Sequence, residues 1–138
     1  MMKIAIVIPA HNEALAIGLL VLAVKTLGYD CIVIDDGSHD QTAEIAQKAQ
    51  AIVLKTEAKS GKGNALKLGF NYVLDKDYEA IIAMDGDGQH SPSDIEAFVA
   101  CCENTNEIEH FLLSKWNYYI KSLVEKEKKQ FHSFYEVH

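Results

Sequence analysis

"KIAIVIPAHNEALAIGLLVLAVKTLG", residues 3–28, is the stretch that decides the fold. Its opening, residues 3–8, is a short apolar run rich in β-branched side chains and closed by Pro9. Such a run reads as a strand buried on both faces, which is how strands of a parallel sheet look. Residues 12–28 then read as a helix, with Asn12 a natural N-cap and Gly28 a natural stop. The apolar segment Ala14–Val24 is shorter than the roughly 20 residues a membrane span needs. It reads as a buried helix or as one lying against a membrane surface.

The same alternation recurs three times. "CIVID" (31–35), "AIVLK" (51–55) and "EAIIAMD" (79–85) read as strands. "SHDQTAEIAQKAQ" (38–50), capped by Ser38 or Asp40, and "GKGNALKLGFNYVLD" (61–75) read as helices, and "SPSDIEAFVACCE" (91–103) opens another with Pro92 early in it. Four strand–helix repeats specify an α/β domain, a Rossmann-like doubly wound parallel sheet. Past residue 100 the pattern changes. Leu112, Trp116, Tyr119 and Leu123 recur at helical spacing, so 1–100 is read as one unit and 101–138 as a helical tail.

Composition narrows the function. The 138 residues carry a formal net charge of −7, which argues against nucleic acid as a partner. All 13 basic residues are lysine, so bidentate guanidinium recognition of phosphate is excluded. The three cysteines, Cys31 and the adjacent Cys101 and Cys102, have no framework spacing and read as reduced thiols of a cytoplasmic protein. No signal peptide is expected at the N-terminus.

In a doubly wound sheet, ligands bind beyond the carboxyl ends of the strands. The polar clusters of this chain all fall there: "PAHNE" (9–13), "DDGSHD" (35–40), "KSGKG" (59–63) and "DGDGQH" (85–90). Asp85 and Asp87, at i and i+2 of an extended segment, point the same way and would seat a hard cation such as Mg²⁺ or Mn²⁺, with Gln89 adding a neutral oxygen. An acidic turn is the simpler alternative. Gly86 and Gly88 would let the backbone approach closely, and His90 reads equally well as a loop residue. Asp36 could accept a hydrogen bond from a nucleobase ring N–H, while Asp35 fixes the turn. Capping accounts for Ser38 and Asp40. Lys62 between two glycines at a helix start is an anion contact or a solvated lysine. The helix dipole alone explains Glu13, yet His11 and Glu13 also face the cleft, where they could hold base and ribose.

Taken together, "VIPAHNEA", "VIDDGSHDQT", "KSGKGNALKLGF" and "MDGDGQHSPSDI" resemble glycosyltransferase family 2, in particular its dolichyl- and polyprenyl-phosphate mannosyltransferase-like group. The resemblance covers residues 3 to about 100. It implies a GT-A fold, truncated here, and transfer of a sugar from a UDP- or GDP-linked donor. It places Pro9, His11, Glu13, Ile34 and Asp36 at the nucleoside, with Lys62, Asp85, Gly86 and Asp87 completing the nucleotide-sugar site. Asp85, Asp87 and Gln89 are the implied metal ligands. The implied acceptor is a polyprenyl or dolichyl phosphate, or a glycan, reached from the inner face of a membrane. In the family the chain continues about as far again and supplies the acceptor pocket and general base. Residues 101–138 do not match that half. Two readings follow: a glycosyltransferase completed by a second chain or a homodimer, or a non-catalytic remnant that holds a nucleotide sugar.

Overall fold

The computed structural model describes residues 3–86, Glu96 and the backbone of residues 133–136. Strands β1 (Ile4–Ala10), β2 (Asp30–Asp35), β3 (Ile52–Lys55), β4 (Ala80–Ala83) and β5 (Ser133–Glu136) form one parallel sheet of order β3-β2-β1-β4-β5. Helices α1 (Ile17–Thr26), α2 (Thr42–Lys48) and α3 (Lys62–Leu74) connect the first four strands.

Every residue of β1 is buried, as are all four of β4. Side chains of successive strand residues alternate between faces, so the sheet carries two apolar layers. Ile4, Ile6, Ile8 and Val33 pack with Ile17, Leu20, Val21 and Val24 of α1 and Ala46 of α2. Val7, Ile32, Ile34 and Ile81 pack with Leu66, Phe70, Val73 and Leu74 of α3. The chain thus covers one face with α1 and α2, then crosses to the other with α3. That reversal falls between β1 and β4, the place where open α/β sheets bind ligands.

Several expectations are corrected. Pro9 does not end the first strand; β1 continues to Ala10 with Pro9 in register with Ile34. Alternate residues of a parallel strand bond to opposite neighbours. Val7 bonds toward β4, accepting from Met84 N–H, and Ala10 toward β2, accepting from Asp36 N–H. The N–H that Pro9 lacks would therefore point toward β4, where strand pairing has already ended at Val7–Ala83.

Asn12 is not the cap of α1, which starts at Ile17 after a turn closed by Glu13 C=O. The helix is buried on one side only. Leu15 just before it is 99% exposed, and Leu19 and Leu22 are exposed too. The helical tail expected past residue 100 is corrected at its end, where Ser133–Glu136 adds a strand beside β4. A four-residue "SFYE" is too short to show a period, though its two aromatics suit a strand. The helix expected from residue 91, the aromatic positions from 112 to 123, and Cys101 and Cys102 lie outside the described residues.

Phe70 is fully buried against the α3 face of the sheet. Phe70→Ala is expected to cost about 3–5 kcal/mol. The readout is the urea midpoint by circular dichroism, and a change below about 1 kcal/mol would contradict this packing.

Candidate functional site

The carboxyl ends of the strands stay in step beyond the strands themselves. Asp36 N–H donates to Ala10 C=O (2.8 Å), and Thr56 N–H to Asp35 C=O (3.0 Å). The loops after β1, β2 and β3 therefore leave the sheet side by side.

Five hydrogen bonds lace the first two of these loops. His11 Nδ1 lies 2.7 Å from the Asp36 carbonyl oxygen. A carbonyl can only accept, so Nδ1 carries the proton and, in the neutral ring, Nε2 accepts from Asn12 Nδ2 at 3.2 Å. Asn12 N–H donates to Ser38 Oγ (2.9 Å), and Asn12 Oδ1 accepts from His39 N–H (2.8 Å). Glu13 N–H donates to Thr42 Oγ1 (2.9 Å) and Ala14 N–H to Asp40 Oδ2 (3.2 Å). Asn12 holds its left-handed backbone, φ 53°, within this lacing. The lacing also revises Ser38, which serves the neighbouring loop rather than its own helix. Asp40 does both, since its Oδ1 also accepts from the Thr42 N–H (3.0 Å) and hydroxyl.

Asp36 ties in the third loop. Its Oδ1 accepts from Thr56 Oγ1, Ser60 N–H and Ser60 Oγ, each at 2.8 Å, and its Oδ2 from Gly61 N–H at 2.9 Å. Burial pushes this carboxyl up, but the bonds from Ser60, Thr56 and Gly61 outweigh it and hold Asp36 below the usual carboxylate range. Asp35 holds its turn as expected, accepting from Ser38 N–H at 3.1 Å.

A cavity of about 360 Å³ opens above this edge. One wall is Pro9, Ala10, His11 and Glu13; the others are Asp36, then Lys59 and Lys62, then Asp85 and Gly86. Lys62, the first residue of α3, places its Nζ 2.7 Å from Asp85 Oδ1. The structure thus brings together seven residues picked from the sequence: Pro9, His11, Glu13, Asp36, Lys62, Asp85 and Gly86. Ile34 is not among the lining residues; its side chain is fully buried in the α3 face of the core. Ala10 and Lys59 line the cavity and were missed. Lys59 sits in the same glycine-rich segment, where Lys62 between two glycines is the more conspicuous lysine.

Asp87, Gln89 and His90 lie outside the described residues. Among the described residues, no group of three His, Cys, Asp or Glu side chains is placed to hold a metal ion. Cys31 is remote from the cavity, in the core beneath α1, where burial pushes its thiol up to about 12.

Residues 5–135 match the family model described as glycosyl transferase family 2. The chain belongs to glycosyl transferase family 2. The match runs past residue 100, so the family relationship is wider than the four motifs alone implied. An uncharacterized protein of Methanocaldococcus jannaschii is 42% identical over 98 residues, covering 70% of this chain and 40% of that protein. An undecaprenyl-phosphate mannosyltransferase of Micrococcus luteus is 33% identical over 103 residues, covering 68% of this chain and 42% of the transferase. The chain therefore spans less than half the length of either relative. Among solved structures, glucosyl-3-phosphoglycerate synthase of Mycobacterium tuberculosis, in complex with Mn²⁺, UDP-glucose and phosphoglyceric acid, superposes with a TM-score of 0.59. It is 26% identical, over 69% of this chain and 37% of the synthase. The structural similarity agrees with the α/β fold of the chain.

Because the folded Asp36 titrates below its unfolded value, near 3.9, its ionised form stabilises the fold above about pH 4. That contribution fades as pH falls through the lower, folded value. Wild type and Asp36→Asn, compared by urea midpoint from pH 7 to pH 3, should differ most near neutrality and converge below about pH 4. A gap independent of pH would show that the Asp36 charge is not what holds the loop.

Proposed function

We propose that this chain forms the donor-binding half of a family 2 glycosyltransferase. It takes a UDP- or GDP-linked sugar with Mg²⁺ or Mn²⁺, and the sugar passes to a polyprenyl or dolichyl phosphate or to a glycan. The observation that carries the reading is the cavity itself. Its lining combines Pro9, Ala10 and His11 with two lysines, at 59 and 62, and the Asp85 carboxylate.

The nucleoside is assigned to the Pro9, His11, Glu13 and Asp36 side. The fixed Nδ1–H tautomer of His11 leaves Nε2 as the ring's acceptor. The diphosphate is assigned to the Lys59 and Lys62 side, at the N-terminus of α3, where the helix dipole favours negative charge. Asp85 fits a hard divalent ion in donor chemistry. It offers only oxygens, and it already accommodates one positive charge, the Lys62 ammonium at 2.7 Å. Asp87 and Gln89 are the proposed further ligands. A bound divalent cation would neutralise charge building on the leaving diphosphate. Lys62 would serve the same charge from the protein side.

The named acceptor of the Micrococcus luteus relative, undecaprenyl phosphate, motivates the lipid-phosphate reading and a peripheral position at the inner face of a membrane. Among the described residues no helix is long and apolar enough to cross a membrane. The second reading is a donor-binding remnant without transfer activity.

Calorimetry with UDP and with GDP, each with and without Mn²⁺, tests the donor site. Metal-dependent binding should weaken about tenfold or more in Asp85→Asn and in Asp87→Asn, the loss of one charged contact being worth that much. Unchanged metal-dependent affinity in both variants would remove the cation from these residues.

Transfer by this chain alone is expected to be very slow. Holding donor and acceptor together supplies about 7–11 kcal/mol of a bimolecular barrier, and the described residues build only the donor side. Purified chain with labelled GDP-mannose or UDP-glucose, Mn²⁺ and a short polyprenyl phosphate should yield free sugar at most. Rapid formation of lipid-linked sugar would overturn that expectation.

A further inference from the structure

We propose that Asp36 is a positioning residue, one that acts on the donor through the loop 56–61 rather than by reading the base alone. The inference rests on the donor-site reading above and deepens it.

Asp36 is 4% exposed, and most of its hydrogen-bonding capacity is already used. A carboxylate oxygen has two lone pairs. Oδ1 receives three donors, from Thr56 and Ser60, and Oδ2 receives Gly61 N–H. One acceptor position, on Oδ2, remains for a ligand. The larger share of this buried charge is therefore spent on the loop.

The loop is also seated on the backbone either side of Asp36. Gly37 has φ +68°, and a Cβ there would come within 2.5 Å of Lys59 N. Thr56 N–H is held by Asp35 C=O at 3.0 Å. Gly61, at φ +95°, turns the chain into α3 immediately after its N–H meets Asp36. Both lysines of the cavity belong to this unit. Lys59 lies inside the loop, and Lys62 opens the helix the loop feeds, with Nζ 2.7 Å from Asp85. An anion fixed at the helix start by two backbone N–H groups is favourable in itself, which explains why a carboxylate can be the latch.

A base-reading residue and a latch have different signatures. A base reader affects nucleoside and nucleoside diphosphate alike. A latch affects the diphosphate, through Lys59 and Lys62, and leaves the nucleoside nearly untouched.

The test uses the full chain, with uridine, guanosine, UDP and GDP as probes, in the presence of Mn²⁺. Three proteins are compared: wild type, Asp36→Asn, and Thr56→Val/Ser60→Ala, which keeps the carboxylate but removes both hydroxyl partners. Amide hydrogen exchange at Ser60 and Gly61 is read alongside. In the double variant diphosphate affinity should fall about tenfold or more while nucleoside affinity changes less than about threefold; in Asp36→Asn both should fall, the diphosphate by more; and in both variants exchange at the two amides should quicken. If Asp36→Asn does not fold, the double variant carries the same comparison. Equal losses for nucleoside and diphosphate in Asp36→Asn, with the double variant like wild type, would overturn the proposal. If wild type binds neither nucleotide, the donor-site reading fails instead. The latch is then decided by exchange alone, and unchanged protection of Ser60 and Gly61 would overturn it.

Discussion

β1 is the constraint on which the remaining structure depends. It is hydrogen-bonded on both sides, to β2 and to β4, and buried on both faces from Ile4 to Ala10. A strand so placed cannot slip by one residue without turning its whole apolar set to the opposite face. Its register therefore fixes where β2 and β4 end, and hence where Asp36 and Asp85 emerge. The doubly buried centre also explains the composition of the strand, which has no polar side chain to accommodate.

At the end of that rigid centre the stabilising chemistry changes. Loops cannot bury apolar surface as strands do, and their backbone groups need partners. Here the partners are side chains of the neighbouring loop: Ser38, Asp40 and Thr42 for the backbone of 12–14, and Asp36 for that of 60 and 61. The bonds to Asp36 involve an ionised acceptor and are the strong kind. They also offset the desolvation that a buried carboxylate would otherwise suffer. The order thus obtained at the edge serves the cavity, because the same loops carry His11, Lys59 and Lys62.

The legible part of this protein was whatever local pattern encodes. Three buried strands and the partly exposed edge strand β3 announce themselves as apolar runs, and their polar ends locate the cavity. What stayed hidden depends on partners far along the chain. Asn12 looks like a helix cap, and only its contacts with Ser38 and His39 show otherwise. Asp36 is legible as a cavity residue, but its hold on the loop is not, because those partners lie 20 to 25 positions away. Ile34 borders the site in sequence, but the pleat turns its side chain to the α3 face. Lys59 was obscured by the more conspicuous Lys62. β5 is four residues long and has no neighbour in sequence that predicts it.

The charges around the cavity bear on why a cation belongs in the proposed reaction. Three carboxylates, Glu13, Asp36 and Asp85, face two lysines, Lys59 and Lys62, among the described lining residues. The lining thus holds one more carboxylate than lysine, within a chain whose formal net charge is −7. A nucleoside diphosphate entering alone would add anionic charge to a negative surface, and the absence of arginine leaves no bidentate guanidinium to compensate. Asp36 is already committed to the loop, and Lys62 to Asp85 at 2.7 Å. The attraction available to the phosphates from the described side chains is therefore less than two lysines suggest. A divalent cation, were Asp85 to hold one as proposed, would supply positive charge that the described side chains lack. The Lys62–Asp85 pair would then be the arrangement of the site before the proposed donor and cation enter.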